Sequence, residues 1–263
     1  MANYIKSEVL AEAYTHLNIE LFEDKEELEA LRKELTSFFH ERASFMFGGD
    51  VDITVMFEEG SLRTKIIATG KAALIIGGMV STYGDFRSSV VSLANDAVSL
   101  AQAANMEVIF RTKTPHCDRL RIEKRKGVFG RVASLLSELD AVAKEVHESQ
   151  LPATPVKLKR VNETVDRLLA WDADVDKLFS KFEGPETEAC VSEGLLAEVN
   201  KLHRNMPWLK ESQQPTFRAR IANSEPTHAG QIAAAGARYS ASVKAIEKKL
   251  KDRMRNAVAA NGG

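Results

Sequence analysis

The sequence predicts a mainly α-helical protein that also carries a small antiparallel β-hairpin, with a third strand as an option. Apolar residues recur three and four positions apart over most of the 263-residue chain, which is typical of long heptad-patterned helices. The stretch 51–69 is different, because two β-rich runs flank a polar turn. Aromatic residues make up 7% of the chain, a content that suits helices packed through Leu, Val and Ala.

The hairpin is predicted from the runs 51–57 and 62–69 on either side of Glu58-Glu59-Gly60-Ser61. An isolated two-stranded hairpin is only marginally stable in water, so we expect it to pack on helices or to pair with another chain. The β-like run Met106–Phe110 could supply a third strand.

The patterns divide the chain into five segments, each with its own expected structure. They are an N-terminal long helix at 1–47, the β-hairpin plus a glycine-broken helix at 48–114, a helical hairpin or bundle at 115–206, a connector at 207–227 and a C-terminal helix at 228–263. The first helix is expected because no Gly or Pro occurs between Ser7 and Met46. In the second segment, Gly77-Gly78 and Gly84 suggest either close backbone approach or a break in the helix near Tyr83-Gly84-Asp85.

An antiparallel αα-hairpin is the expected centre of the third segment. Its first helix carries apolar residues spaced 4-3-4-3-4, namely Val128, Val132, Leu135, Leu139, Val142 and Val146. Pro152 and Pro155 end that helix, and a second apolar seam then follows from Leu158 to Phe182.

Composition limits the function classes. The net charge of −1 gives no overall field that would favour nucleic acid or an anionic membrane. The two cysteines, Cys117 and Cys190, are too far apart for a CxxC motif, and the six histidines show neither HxH nor HExxH spacing. We therefore expect no metal site, no cofactor and a cytoplasmic location; the mixed, acidic N-terminus has no signal-peptide pattern.

A basic segment at 111–131 is the main candidate for a binding site, because it holds eight bases against two acids. The proposed anion- or nucleic-acid-binding residues are Arg119, Arg121, Lys124, Arg125, Lys126 and Arg131. Gly127 and Gly130 could let backbone N–H groups approach an anion near a helix N-terminus. The alternative is a solvated basic face that pairs with the acidic N-terminal region, where residues 1–59 contain fourteen acids and five bases.

The run Arg111-Thr112-Lys113-Thr114-Pro115-His116 contains an Arg and a His separated by four residues. This spacing resembles the motif of HEPN-type ribonucleases, which are all-helical proteins. The resemblance implies charge stabilisation at an RNA phosphodiester by Arg111 and proton transfer by His116. The motif of that family lies on a helix, whereas Pro115 predicts a strand or loop here.

Taken together, these patterns predict an interaction protein that self-associates or binds another protein through its helix seams, with no evident catalytic site. The first alternative is a nucleic-acid- or phosphate-binding protein that uses residues 111–131, including a HEPN-like nuclease of a bacterial defence system. The second is a peripheral membrane protein that uses Ile66–Val80. The apolar run Ala72–Val80 is too short to span a bilayer, so we expect a core helix or a subunit interface there.

Overall fold

The computed structural model describes residues 8–19, 25–48, 51–58, 62–148, 155–203 and 226–261. The chain divides into two compact units, the first comprising 1–133 with 182–187 and the second comprising 134–181 with 188–263. The described residues are mostly helical and contain one four-stranded antiparallel sheet.

The elements follow one another from a strand to a long final helix. The strands are β1 (Glu8–Leu17), β2 (Val51–Glu58), β3 (Leu62–Gly70) and β4 (Arg119–Arg125). The helices are α1 (Lys25–Phe47), α2 (Ala72–Tyr83), α3 (Phe86–Arg111), α4 (Gly127–Glu148), α5 (Pro155–Phe179), α6 (Pro185–Val199) and α7 (Pro226–Asn261), and a short 3-10 helix, His116–Asp118, precedes β4.

The sheet of the first unit has the strand order β2-β3-β1-β4. Helix α1 connects β1 to β2, and α2 with α3 connects β3 to β4, so the chain forms two interleaved β-α-β crossovers. This arrangement is the ferredoxin-like, split β-α-β topology. Helices α1 and α3 pack on the sheet, with α1 against β2 and α3 against β1, β3 and β4.

The β2–β3 hairpin is confirmed, and its register runs from Val51 opposite Gly70 to Glu58 opposite Arg63. The turn at 59–61 lies outside the described residues. The expected third strand at Met106–Phe110 is wrong, because this run is the end of α3. Val108 and Ile109 are apolar because they continue the buried stripe of that helix, and two strands from elsewhere complete the sheet instead.

The N-terminal long helix is also wrong in its first part, since β1 occupies Glu8–Leu17 and α1 begins at Lys25. A register shift between Val9 and Ala11 leaves both Leu10 and Ala11 buried. This bulge breaks the alternation by which a strand is recognised in sequence. Pairing with β3 and β4 on both sides therefore overrides the apparent helical spacing.

The predicted break at Tyr83-Gly84-Asp85 is confirmed. Gly84 has φ +70° and donates its N–H to the Val80 carbonyl, which ends α2. Asp85 then caps α3 by accepting the Ser88 N–H at 2.9 Å. The alternative, close backbone approach, is not found at these glycines, because a Cβ on Gly77, Gly78 or Gly84 would meet no atom within 4 Å.

In the second unit, α4 and α5 run antiparallel. Trp171 on α5 donates its indole N–H to the Leu135 carbonyl at 2.8 Å, and Thr164 donates to Glu145 at 3.2 Å. All six seam residues of α4 are buried. The proline turn that would join the two helices lies at 149–154, outside the described residues, as do 207–225 of the predicted connector.

Helix α7 runs parallel to α5. Arg238 on α7 donates to Asn162 at 2.5 Å, and Lys249, further along α7, donates to Asp172 at 3.0 Å. The buried face of α7 includes Tyr239, Val243, Ile246 and Leu250, which are spaced by four, three and four residues.

Candidate functional site

An apolar groove in the first unit lies between the C-terminal turn of α1 and helix α2, with a volume of about 610 Å³. It is lined by Phe45, Met46, Phe47, Gly48, Lys71, Leu74, Ile75, Gly78, Met79 and Thr82. Among these ten residues Lys71 alone carries a charge. A concave and mostly apolar surface of this size is typical of a site that receives side chains of a ligand or partner.

The groove is apolar because the apolar residues of α2 extend beyond the buried face of that helix. Only Ala72, Ile75 and Ile76 of this helix are buried, and its twelve residues include no charged side chain. Leu74 is 67% exposed on α2, and Phe45 is 90% exposed at the end of α1. Gly78 follows Leu74 by four residues and adds no side chain, so it leaves open space on the same helix face.

The start of α2 is held by a carboxylate from β1. Lys71 occupies the N-cap position without a side-chain cap, and Glu8 supplies the missing acceptor by receiving the Ala72 N–H at 3.2 Å. Burial raises the pKa of Glu8 above its ordinary value, and hydrogen bonds from Thr187, Ala72 and the Gly184 backbone oppose this effect. The orientation of one wall of the groove is thus tied to the sheet.

A second surface in the first unit is the sheet face opposite α1 and α3. Its central side chains include Glu12, which lies 3.5 Å from Lys65 and 2.9 Å from Arg125. Glu123 is 3.0 Å from Arg125 and also pairs with Arg121. The bases and acids at the centre of this face therefore neutralise one another.

The structure divides the predicted anion-binding residues between the two faces of β4. Arg121 and Arg125 lie on the face opposite α1 and α3, called the open face below. Lys124 points toward α3 and donates to Gln102 at 3.3 Å. Arg119 donates to the Thr114 carbonyl at 3.5 Å. Lys126 and Arg131 are exposed after the strand. Because neighbouring strand residues point to opposite faces, these six residues do not form one patch.

The two glycines of the basic segment make contacts within the chain. Gly127 has φ +57°, and a Cβ there would lie 2.2 Å from the Val9 carbonyl oxygen. Its close backbone approach is thus made to β1. The N–H of Gly130 donates to the Lys126 carbonyl at 3.1 Å.

Arg111 and His116 occupy separate elements. Arg111 ends α3, donates to Glu107 at 2.7 Å and also pairs with Glu34 of α1, so it links two helices. His116 begins the short 3-10 helix and is exposed. The structure gives Arg111 a structural role, and the catalytic pairing of these two residues remains a prediction.

An ion-pair network in the second unit joins α5, α6 and α7. Asp176 accepts from Lys249 at 2.6 Å and from Arg253 at 2.9 Å, and Arg253 also donates to Glu188 at 3.1 Å. Burial raises the pKa of Asp176, but the two cations outweigh it and lower that pKa overall. Each acid of the network is paired with a cation. This arrangement is more typical of ion pairs that hold helices together than of a reactive site.

Within the described residues, no group of three His, Cys, Asp or Glu side chains could hold a metal ion. In the same residues, each helix is too short or too polar to cross a bilayer. The chain matches no protein-family model, and no similarity to a curated protein or to a solved structure is found.

Sequence patterns did not identify the groove as a site. The apolar run Ala72–Val80 pointed to a core helix or an interface, but Phe45 stood among apolar residues of α1 and gave no separate signal. In the structure the buried stripe of α1 is Leu31, Leu35, Phe39, Ala43 and Phe47, a step of four that leaves Phe45 on the outside. An apolar residue away from that stripe is the signal that could have been used.

Proposed function

We propose that the protein is a cytoplasmic interaction protein that self-associates through the apolar groove between α1 and α2. The observation that carries this proposal is the uncharged, largely exposed helix α2 beside Phe45, whose side chain is 90% exposed. Contiguous exposed apolar surface on a folded protein is typical of an interaction site.

Burial of this apolar surface in an interface would contribute favourable free energy. Fully burying a side chain such as Phe45 or Leu74 contributes about 1.5–3 kcal/mol. Helix α2 has no charge to desolvate, so little of this gain would be lost when it enters an interface. Met46 and Met79 line the groove, and methionine side chains adapt readily to the shape of a partner.

A second copy of the chain is the partner that the surface favours. A two-fold interface needs complementary features on one patch, and here a projecting Phe45 lies at a groove. The patch also carries both signs of charge, since exposed Glu41 precedes Phe45 by one helical turn on α1 and Lys71 lines the groove. With a net charge of −1, two copies would repel each other only weakly.

Peripheral membrane binding through the same region is the less favoured alternative. Helices that lie on membranes have a polar face rich in Lys and Arg, and α2 has none of either. The region is also concave, which suits protruding side chains better than a flat lipid surface. Flotation with vesicles that contain anionic lipid would reveal membrane binding, and that result would count against this proposal.

The proposal is tested by light scattering on the double variant Phe45→Ser, Leu74→Ser. Removal of two anchors that each contribute at least about 1.5 kcal/mol predicts a dimer dissociation constant raised on the order of a hundredfold or more. The matched control is Leu169→Ser, because Leu169 is also an exposed leucine on a helix (50%) but lies on α5 in the second unit. The control is expected to keep the wild-type dissociation constant.

Equal weakening in the double variant and the control would overturn the assignment of the interface to the groove. Unfolding would give a similar loss of dimer, so circular dichroism must first show that each variant keeps its helical content.

A further inference from the structure

We propose that Arg63, His16 and Arg121 form a binding site for a phosphate group on the open face of the sheet. The site lies on three different strands and shares no residue with the groove, so it does not depend on the proposed self-association. Of these three residues, only Arg121 lies in the basic segment 111–131.

Strand register brings the three residues together. His16 on β1 lies directly opposite Arg63 on β3 and directly opposite Arg121 on β4. Directly opposite residues share one face of an antiparallel sheet, with Cβ atoms about 4.5–5.5 Å apart. Two strand spacings separate Arg63 from Arg121 by about 10 Å. Both guanidinium groups can therefore reach one anion placed over His16.

Charge is concentrated in this row of the sheet. The row contains Arg63, His16 and Arg121, with Glu58 of β2 at its outer edge. The neighbouring row, made by Met56, Lys65, Tyr14 and Glu123, has one base and one acid. The following row of Thr54, Ile67, Glu12 and Arg125 is balanced in the same way. With His16 neutral, the row of His16 has a net charge of +1, whereas the other two rows have none.

Both arginines can exchange their present partners for a ligand. Their side chains are 45% exposed for Arg63 and 67% exposed for Arg121. Arg63 lies 3.8 Å from Glu58, beyond hydrogen-bonding distance, and Arg121 pairs with Glu123 at the surface. Exposed ion pairs of this kind contribute little to stability, whereas a guanidinium group binds a phosphate through two parallel hydrogen bonds.

The ligand class is therefore a phosphate monoester or diester. Such a group can belong to a small phosphorylated molecule or to the backbone of a single-stranded nucleic acid. Half-buried Tyr14, in the neighbouring row, places a ring beside the site in either case.

Two probes test the proposal. Pyrophosphate binding is followed by isothermal titration calorimetry, and binding of a fluorescein-labelled single-stranded RNA is followed by anisotropy over a salt series. The wild-type chain should bind at least one of them. Arg63→Gln with Arg121→Gln should weaken that binding at least tenfold, and His16→Gln should weaken it in the same direction. The control Arg42→Gln removes an exposed arginine of α1, in the same unit but outside the proposed site, and should leave binding unchanged.

The probes also separate the two sources of the phosphate. Pyrophosphate binding alone assigns the site to small anions, whereas RNA binding whose salt dependence becomes shallower in the double variant assigns it to nucleic acid. Failure of the wild-type chain to bind either probe would overturn the proposal. So would equal weakening in Arg42→Gln, since the effect would then reflect net charge. If the double variant loses its helical circular dichroism, the His16→Gln and Arg121→Gln single variants carry the test.

Discussion

At the scale of single residues, the first unit depends on polar side chains placed where the sheet meets its helices. Glu8 joins β1 to the first turn of α2, and Asn105 joins α3 to two strands. Asn105 accepts from the Thr15 hydroxyl at 2.6 Å and donates to the Glu123 carbonyl at 2.9 Å. A buried polar side chain such as Asn105, whose oxygen and nitrogen both have a partner, stabilises the fold.

Glu8→Gln is expected to change the pH dependence of stability. Burial raises the pKa of Glu8 in the folded state above the ordinary 4.5, so the folded state binds this proton more tightly than the unfolded state. The contribution of Glu8 to stability therefore falls as pH rises from about 4.5 through the raised value. Gln removes this dependence and keeps an acceptor for the Ala72 N–H.

Urea denaturation of both proteins between pH 4 and pH 8 measures the effect. The stability of Glu8→Gln relative to wild type should increase across the lower part of this range and then become constant. Parallel pH curves for the two proteins would show that the carboxyl of Glu8 titrates as it does in the unfolded chain.

Asn105→Ala is expected to destabilise the fold by about 2–3 kcal/mol, because it leaves a buried hydroxyl and a partly buried carbonyl without their partner. Asn95→Ala, on an exposed position of the same helix, should change stability by less than about 0.5 kcal/mol. Chemical denaturation of the two variants provides the comparison. Similar values for both would mean that the Asn105 hydrogen bonds do not hold α3 on the sheet.

At the scale of elements, the sequence identified those whose partners are near in the chain. The β2–β3 hairpin, the break at Gly84 and the buried positions of α4 all follow from patterns over a few residues. β1 and β4 did not, because their pairing is distant: Glu12 lies opposite Arg125, 113 residues away. The row around His16 depends on that pairing, so no local pattern could show it.

The entry into α4 gives a prediction at this scale. Gly127→Ala should destabilise the protein by more than about 2 kcal/mol, since positive φ alone costs about 1–2 kcal/mol for a residue with a side chain. The added Cβ would also lie 2.2 Å from the Val9 carbonyl oxygen, in the bulged part of β1.

Gly77→Ala is the matched control, because it adds the same methyl group where no atom lies within 4 Å. Its higher helix propensity should stabilise the protein by up to about 1 kcal/mol. Thermal unfolding of both variants checks the pair. If Gly127→Ala left the stability unchanged, the contact between α4 and β1 would be able to relax around the added methyl group.

At the scale of the whole molecule, the chain combines a ferredoxin-like unit with a helical unit, and the surfaces proposed for binding lie on the first. In the helical unit, the acids and bases of the ion-pair network pair with one another: Asp176 accepts from both Lys249 and Arg253. The groove instead leaves Phe45 and Leu74 exposed. The apolar character of α2 was visible in sequence, but its exposure depends on how α1 and α3 cover the sheet.

The most direct test of the account is the mass of the wild-type protein in solution. Multi-angle light scattering over a concentration series should give a species with twice the chain mass of 29.1 kDa, which dissociates on dilution. A species that stays at 29.1 kDa at every concentration would contradict self-association through the groove.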